Sequence, residues 1–311
     1  MIGMVVLDSG RRLDLAYDAL DGLSVADALG AQFFVPGRSV SALVDGEAPA
    51  PPWEWTDDTE MACTIVSELR DRGGIDQDSL ALLFADRCEP YRGYGPGAVV
   101  ALHAIRDGVP WWTAATAGFG GGGSLGNGAA MRVAPLGAFF ADDADRAARV
   151  SARSAVVTHA HPEGITGAVA IGVAAALVGA ARLDGRRLGW DEFFSGVLAR
   201  IGRGPTRDGV ARASQMAGAS VAEAAYELGN GTHSTAADSV PLALWVAATF
   251  LDDYRSAVVA CVRAGGDVDT IAAMAGGVVA TFNGARPSTG GVPEDWLAAR
   301  EPLPTWANRS P

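Results

Sequence analysis

Two short stretches, Thr56-Asp57-Asp58-Thr59 and Gly265-Gly266-Asp267-Val268-Asp269-Thr270, concentrate oxygen ligands in a chain of 311 residues. Each has an ordinary structural explanation. Asp57 followed three residues later by Glu60 reads as a capping box, and Asp267 reads as the N-cap of a last long helix. Asp58 and Asp269 would then complement the positive end of a helix. Yet a cap needs one carboxylate, and each stretch offers two, flanked by threonine. Carboxylate, hydroxyl and water oxygens are the ligands that hard cations such as Mg²⁺ take. Adjacent Asp57 and Asp58 cannot point the same way from a helix terminus. One can ligate while the other orients a water, or each can hold its own ion. Two such clusters at opposite ends of a helical chain can converge on a dinuclear centre.

A third stretch, Phe119 to Gly128 (Phe-Gly-Gly-Gly-Gly-Ser-Leu-Gly-Asn-Gly), carries too much glycine for a regular element. Backbone amides in such turns can cradle a diphosphate, and a flexible surface loop is the alternative. No Gly-Lys-Ser/Thr follows, so this is not a P-loop. No strand precedes it, so it is not a dinucleotide fingerprint. Thr158-His159-Ala160-His161-Pro162 invites a zinc reading, but no third ligand accompanies the pair. A histidine there caps a helix or bonds a ligand, and His159 is the one expected to touch a ligand. Trp53 and Trp55 flank the first acidic cluster, either as core aromatics or as a platform for an arginine side chain.

The elements that position these residues read as helices. Arg11 to Gly30 carries Leu13, Ala16, Leu20, Leu23 and Ala26 along one side, with Gly30 as its stop. Further helices are expected over 60–70, 78–85, 97–106, 142–157, 164–181, 190–201, 220–228, 252–264 and 268–282, and another begins at Ser239-Val240-Pro241. Residues 35–52, rich in proline and glycine, read as a loop that flaps over Thr56. The proline-rich segment after Arg286 reads as a surface tail. Alternating β-branched patterns are scarce, and no repeat or linker divides the chain. An all-α, single-domain protein is expected, with a core over about 11–284 and a tail over 285–311.

Composition narrows the partners. With 49% apolar and 19% charged residues there is ample core material. A net charge of −12 without a basic patch argues against nucleic-acid binding. An acidic protein that binds an anion needs local help from cations or helix N-termini. Cys63, Cys88 and Cys261 are scattered and odd in number, which fits a reducing cytoplasm. Met1 to Leu7 lacks the length and basic flank of a signal peptide. The uncharged run from Gly164 to Ala181 is long enough to span a membrane, but its Ala, Gly and Val suit a buried helix better.

The order of these motifs resembles the ADP-ribosylglycohydrolase family, which includes the dinitrogenase reductase-activating glycohydrolase. The resemblance rests on Asp27-Ala28-Leu29-Gly30, Thr56-Asp57-Asp58-Thr59, Gly126-Asn127-Gly128-Ala129-Ala130-Met131-Arg132, Thr158-His159, Ala237-Asp238-Ser239-Val240-Pro241-Leu242-Ala243 and Gly266-Asp267-Val268-Asp269-Thr270. It implies an all-α fold with two Mg²⁺ or Mn²⁺ ions held by Thr56, Asp57, Asp58, Asp267, Asp269 and Thr270. Asp57, Asp58 or Asp269 would act as base or proton shuttle. ADP-ribose would lie on Phe119, Gly123, Ser124, Leu125, Gly126, Asn127 and Gly128, with Phe119 near the adenine, Ser124 to Asn127 near the diphosphate, and His159 on the diphosphate or ribose. The implied activity is hydrolysis of ADP-ribose from a modified protein or small-molecule conjugate. Ala26 stands where the family usually has glycine before the aspartate, and Phe34 where many members carry a glutamate. The missing glutamate favours an arginine-linked substrate over serine, nucleic-acid or free-metabolite linkages. Binding without turnover is the other reading.

Overall fold

The computed structural model describes residues 7–285 and 291–309. Most of the expectation for Met1 to Leu7, and the part of the tail at 286–290 and 310–311, lie outside the described residues. The described residues form sixteen α-helices and short 3₁₀ turns, and the only β pairing among them is two isolated bridges. The all-α, single-domain reading therefore stands.

At the centre is the opening helix, Ser9–Ala31. Asp8 caps it by accepting from the Arg11 amide at 2.8 Å. From Leu15 to Gly30 it is buried almost all round. Its small residues allow this. A Cβ on Gly22 would lie 2.1 Å from Ala280 Cβ and 2.7 Å from Gly276 O. The opening helix therefore seats directly on Val268–Asn283, its most extensive partner. Gly30 does not end the helix, contrary to the sequence expectation. A Cβ there would come within 2.7 Å of Asp269 Cα, so this glycine lets the two helices close on the second acidic cluster.

The apolar helix runs Pro162–Leu183 and starts with proline at its first turn. It meets the length and hydropathy of a membrane span, but 83% of that window is buried within the protein. It packs among Ala134–Phe139, Ala144–Val156, Ala236–Thr249 and Val268–Asn283. It is a core helix, as its composition predicts.

Other boundaries moved. The helix expected from Ser239 begins at Ala236, where the Thr235 side chain caps it, and Pro241 sits inside it. The 35–52 loop contains a short helix, Val40–Val44, whose Leu43 is buried. That helix packs beside Tyr254–Ala264. The C-terminal segment is more than a surface wrap. Its helix Glu294–Ala299 buries Trp296 edge-on to Trp53 at 6.1 Å and Tyr254 at 6.4 Å. The Trp53 amide donates to Ala299 O at 2.7 Å, joining this segment to the strip before the first acidic cluster.

Candidate metal centre

The capping explanation fails at the first cluster, and at the second it holds for position but not for a side-chain cap bond. Helix Asp57–Arg72 has Thr56, not Asp57, as N-cap, and the Thr56 side chain makes no cap bond. Glu60 does not reach back either, because it accepts from Tyr94 Oη at 2.6 Å and from the Glu89 amide at 3.1 Å. Asp267 is the N-cap of Val268–Asn283, again without a side-chain cap bond. The oxygens are turned to one another instead.

Their focus is Asp27, a residue to which the sequence reading gave no role. It is fully buried in the opening helix. Its Oδ2 accepts from the amides of Thr56 (3.0 Å) and Thr59 (3.2 Å) and from Thr59 Oγ1 (2.5 Å). Its Oδ1 accepts from Thr56 Oγ1 at 2.7 Å. The first cluster is thus hung from the opening helix through Asp27. Thr56 Oγ1 also lies 3.1 Å from Asp58 Oδ2, and with one proton it can satisfy only one carboxylate at a time.

Asp27, Asp58 and Asp269 each place a carboxylate oxygen within 4.8 Å of the others. Asp58 is buried, and its Oδ1 has no hydrogen-bond partner. A buried carboxylate oxygen with no donor is costly unless a cation satisfies it. An all-oxygen set of carboxylates and threonine hydroxyls is also the donor chemistry of hard cations. The residues present therefore fit a divalent metal. Asp57 opens the helix half-buried, beside Gly93, where a Cβ would lie 3.4 Å from its Oδ1. Asp269 Oδ1 accepts from the Thr270 amide at 2.7 Å, and Thr270 is buried.

Like charge in a dry site shows in the acidities. Burial pushes Asp27 up to about 6 against the pull of its four hydrogen bonds. Burial, then the charge of Asp27, pushes Asp57 up to about 7. Asp58 and Asp269 are both driven well above the usual carboxylate range by burial and then by Asp27.

The glycine loop joins this cluster directly. Asn127 Nδ2 donates to Asp267 Oδ2 at 2.7 Å and to Ser239 Oγ at 2.9 Å. The Asn127 Nδ2 therefore acts as a strut, and the backbone amide is spent on Ser234 O at 3.1 Å. The amides of Gly121, Gly122, Gly123 and Gly126 are likewise engaged. Those of Ser124 and Leu125, half-buried, donate to no acceptor among the described residues. Gly123, at φ +74, is forced to be glycine, because a Cβ would meet Ala160 Cβ at 2.8 Å. Gly128 is pressed on His159, whose Nε2 would lie 2.9 Å from a Cβ there. Phe119 stands 72% exposed at the loop's edge, with a left-handed φ of 56° that is strained for an aromatic residue.

His161 has a structural task. It caps Pro162–Leu183, its Nδ1 accepting from the Glu163 amide at 3.1 Å. Trp55 is buried, and the chain's own Arg92 stacks its guanidinium 3.4 Å from the ring centroid. Of the two readings of Trp55, the core aromatic fits, and Arg92 takes the ring face that the other reading would offer a substrate arginine.

An all-helical protein whose buried carboxylates face a glycine loop is the class that fold and site define. The chain belongs to the ADP-ribosylglycohydrolase family, whose profile matches residues 8–309. It is 30% identical to ADP-ribosylhydrolase ARH3 of Mus musculus, over 94% of this chain and 84% of that protein. It is 32% identical to ADP-ribosylhydrolase ARH3 of Bos taurus, over 79% and 74%. A solved ADP-ribosylglycohydrolase-related protein complex superposes with a TM-score of 0.64 at 24% identity, covering 94% of each chain, a likeness of fold.

Proposed function

We propose that this chain is a hydrolase that releases ADP-ribose from a conjugate, using two Mg²⁺ or Mn²⁺ ions held by the two acidic clusters. The observation that carries the reading is the Asn127–Asp267 bond, 2.7 Å long, which fixes the glycine loop beside the carboxylates. The open amides of Ser124 and Leu125 would donate to the diphosphate, with His159 beside them. Phe119, exposed and held out by its backbone, would stack on the adenine. Asp27, Asp58 and Asp269 would hold one ion, and Asp57, Asp267 and the threonines Thr56 and Thr270 would complete the set. Bound ions would offset the charge of diphosphate and carboxylates, grip the ribose hydroxyls and make water more acidic.

Water adds at ribose C1 as the bond to the leaving group breaks, through an oxocarbenium-like state. The water's proton passes to a carboxylate and another proton returns to the leaving group. Asp57 and Asp269 suit that traffic, since they are half-buried where Asp27 and Asp58 are enclosed. The arginine linkage comes first among substrates on the strength of Phe34, although Trp55 lends it no support. The three cysteines are unpaired, which supports placing the protein in the cytoplasm.

The test is a panel of arginine-, serine- and nucleic-acid-linked ADP-ribose, each with Mg²⁺, Mn²⁺ or chelator. ADP-ribose release is expected with metal on at least one linkage, and it should fall about 10²–10⁴-fold in Asp57→Asn. Release that survives both chelation and Asp57→Asn would overturn the metal-dependent reading, and no release from any conjugate would overturn the hydrolase.

A further inference from the structure

Beneath the glycine loop lies a buried cation that the proposed chemistry leaves unused. Arg132 is fully buried, pairs with no carboxylate among the described residues, and has no acceptor at Nε. Its guanidinium lies 4.4 Å from the Phe84 ring centroid, and Nη1 meets Met61 Sδ at 3.2 Å. Nη2 donates to Thr158 Oγ1 at 2.8 Å and to Ser154 O at 3.3 Å. Burial pulls the guanidinium down to about 9, so it is still charged at neutral pH.

Arginine has donors and no acceptor. Its bond to Thr158 therefore occupies a lone pair of the hydroxyl and leaves the hydroxyl proton to be given onward. The acceptor that lies within reach among the described residues is His159 Nδ1, 2.8 Å away. If Nδ1 accepts, the proton of the neutral ring sits on Nε2. Nε2 has no hydrogen-bond partner among the described residues and lies against Gly126 and Gly128, where added Cβ atoms would come to 3.5 and 2.9 Å of it. The residue itself is only 8% exposed.

We propose that Arg132 and Thr158 form a two-residue relay that fixes His159 as the Nε2–H tautomer, so that the ring donates to an anionic oxygen lodged in the glycine loop. This rests on reading that loop as the diphosphate site. Arg132 and Thr158 are positioning residues, since neither faces the loop itself. Burial, followed by the charge of Arg132, pulls His159 down to about 3, so the ring donates as a neutral dipole. The free tautomer of a histidine without such a relay could present a lone pair to the phosphate and repel it.

Long-range ¹H–¹⁵N correlation on the labelled full chain reads the tautomer directly, with His159→Asn assigning the ring among the four histidines. The expected result is Nε2–H in the ligand-free wild type. Thr158→Val keeps the shape and removes the hydroxyl. It should shift the ring towards Nδ1–H and weaken ADP-ribose binding about tenfold by calorimetry, and Thr158→Ser should restore both. Nδ1–H in the wild type with ADP-ribose still bound would overturn the relay alone, even were the valine variant unable to fold. A valine variant that keeps both tautomer and affinity would do the same. An Nε2–H wild type that binds no ADP-ribose would overturn the loop's role and the inference with it.

Discussion

Asp58 carries the sharpest contradiction in the molecule. Its carboxylate is buried against Asp27 and Asp269, and one oxygen has no donor. Such a residue weakens the metal-free fold and strengthens the metal-bound one. Asp58→Asn removes the charge at nearly constant volume, so without metal it should stabilise the protein by about 1–3 kcal/mol. On the proposed function the same change also deletes an ion ligand. Thermal melts in chelator and in excess Mn²⁺ separate the two effects. The variant should melt higher than wild type in chelator and respond little to Mn²⁺. An unchanged Mn²⁺ response would remove Asp58 from the ligand set. Asp27 is a poorer subject for the same experiment, because its oxygens accept four bonds from Thr56 and Thr59. An amide there would set its own N–H₂ against those donors and mix structural loss with metal loss.

At the scale of the elements, the site depends on how closely the opening helix meets Val268–Asn283. Gly30→Ala would place a Cβ within 2.7 Å of Asp269 Cα. Backbone cannot yield as a flexible side chain does, so the helices must part. We expect a loss of about 1–3 kcal/mol in urea unfolding and weaker Mn²⁺ binding by calorimetry. Full metal affinity in the variant would show that this approach does not shape the centre. Gly30 also shows where sequence rules stop. Read alone, a glycine after an apolar stripe signals a helix end, whereas here it serves a contact with a helix far along the chain. Asp27 carries part of the family resemblance but is given no ligand role by its sequence setting, for a related reason. It lies between Ala26 and Ala28 in mid-helix, without the neighbouring oxygen ligands that made Asp57-Asp58 and Asp267-Asp269 stand out. The convergence of those two pairs was legible from composition, as were the long helices with clear stripes. Short helices such as Trp111–Ala117 and Ala134–Phe139 were not, because few turns leave little periodicity. Pro205–Ala213 could have been found, since Gly204-Pro205 is a start signal.

For the whole molecule, the buried carboxylates make stability depend on pH in an unusual direction. In the unfolded chain an aspartate titrates near about 3.9. In the folded, metal-free protein Asp27 is raised to about 6 and Asp57 to about 7, with Asp58 and Asp269 raised as well. Between these limits the folded state binds more protons than the unfolded one. Their contribution is therefore complete below about pH 4 and is lost as pH rises through 6 and 7. Asp71 and Glu192 are shifted the other way by Arg70 and Arg186, but both are exposed at the surface and count for little. The net charge of −12 adds repulsion of the same sign as pH rises. In chelator, stability should fall by on the order of 3 kcal/mol between about pH 5.5 and 8. Saturating metal should reverse the trend, because the ions bind the deprotonated carboxylates and bind them best at higher pH. Paired melts across that range, with chelator and with Mn²⁺, give two curves that diverge towards alkaline pH. Parallel curves would mean that the carboxylates which set the acid–base behaviour of this fold are not the ones that hold its metal.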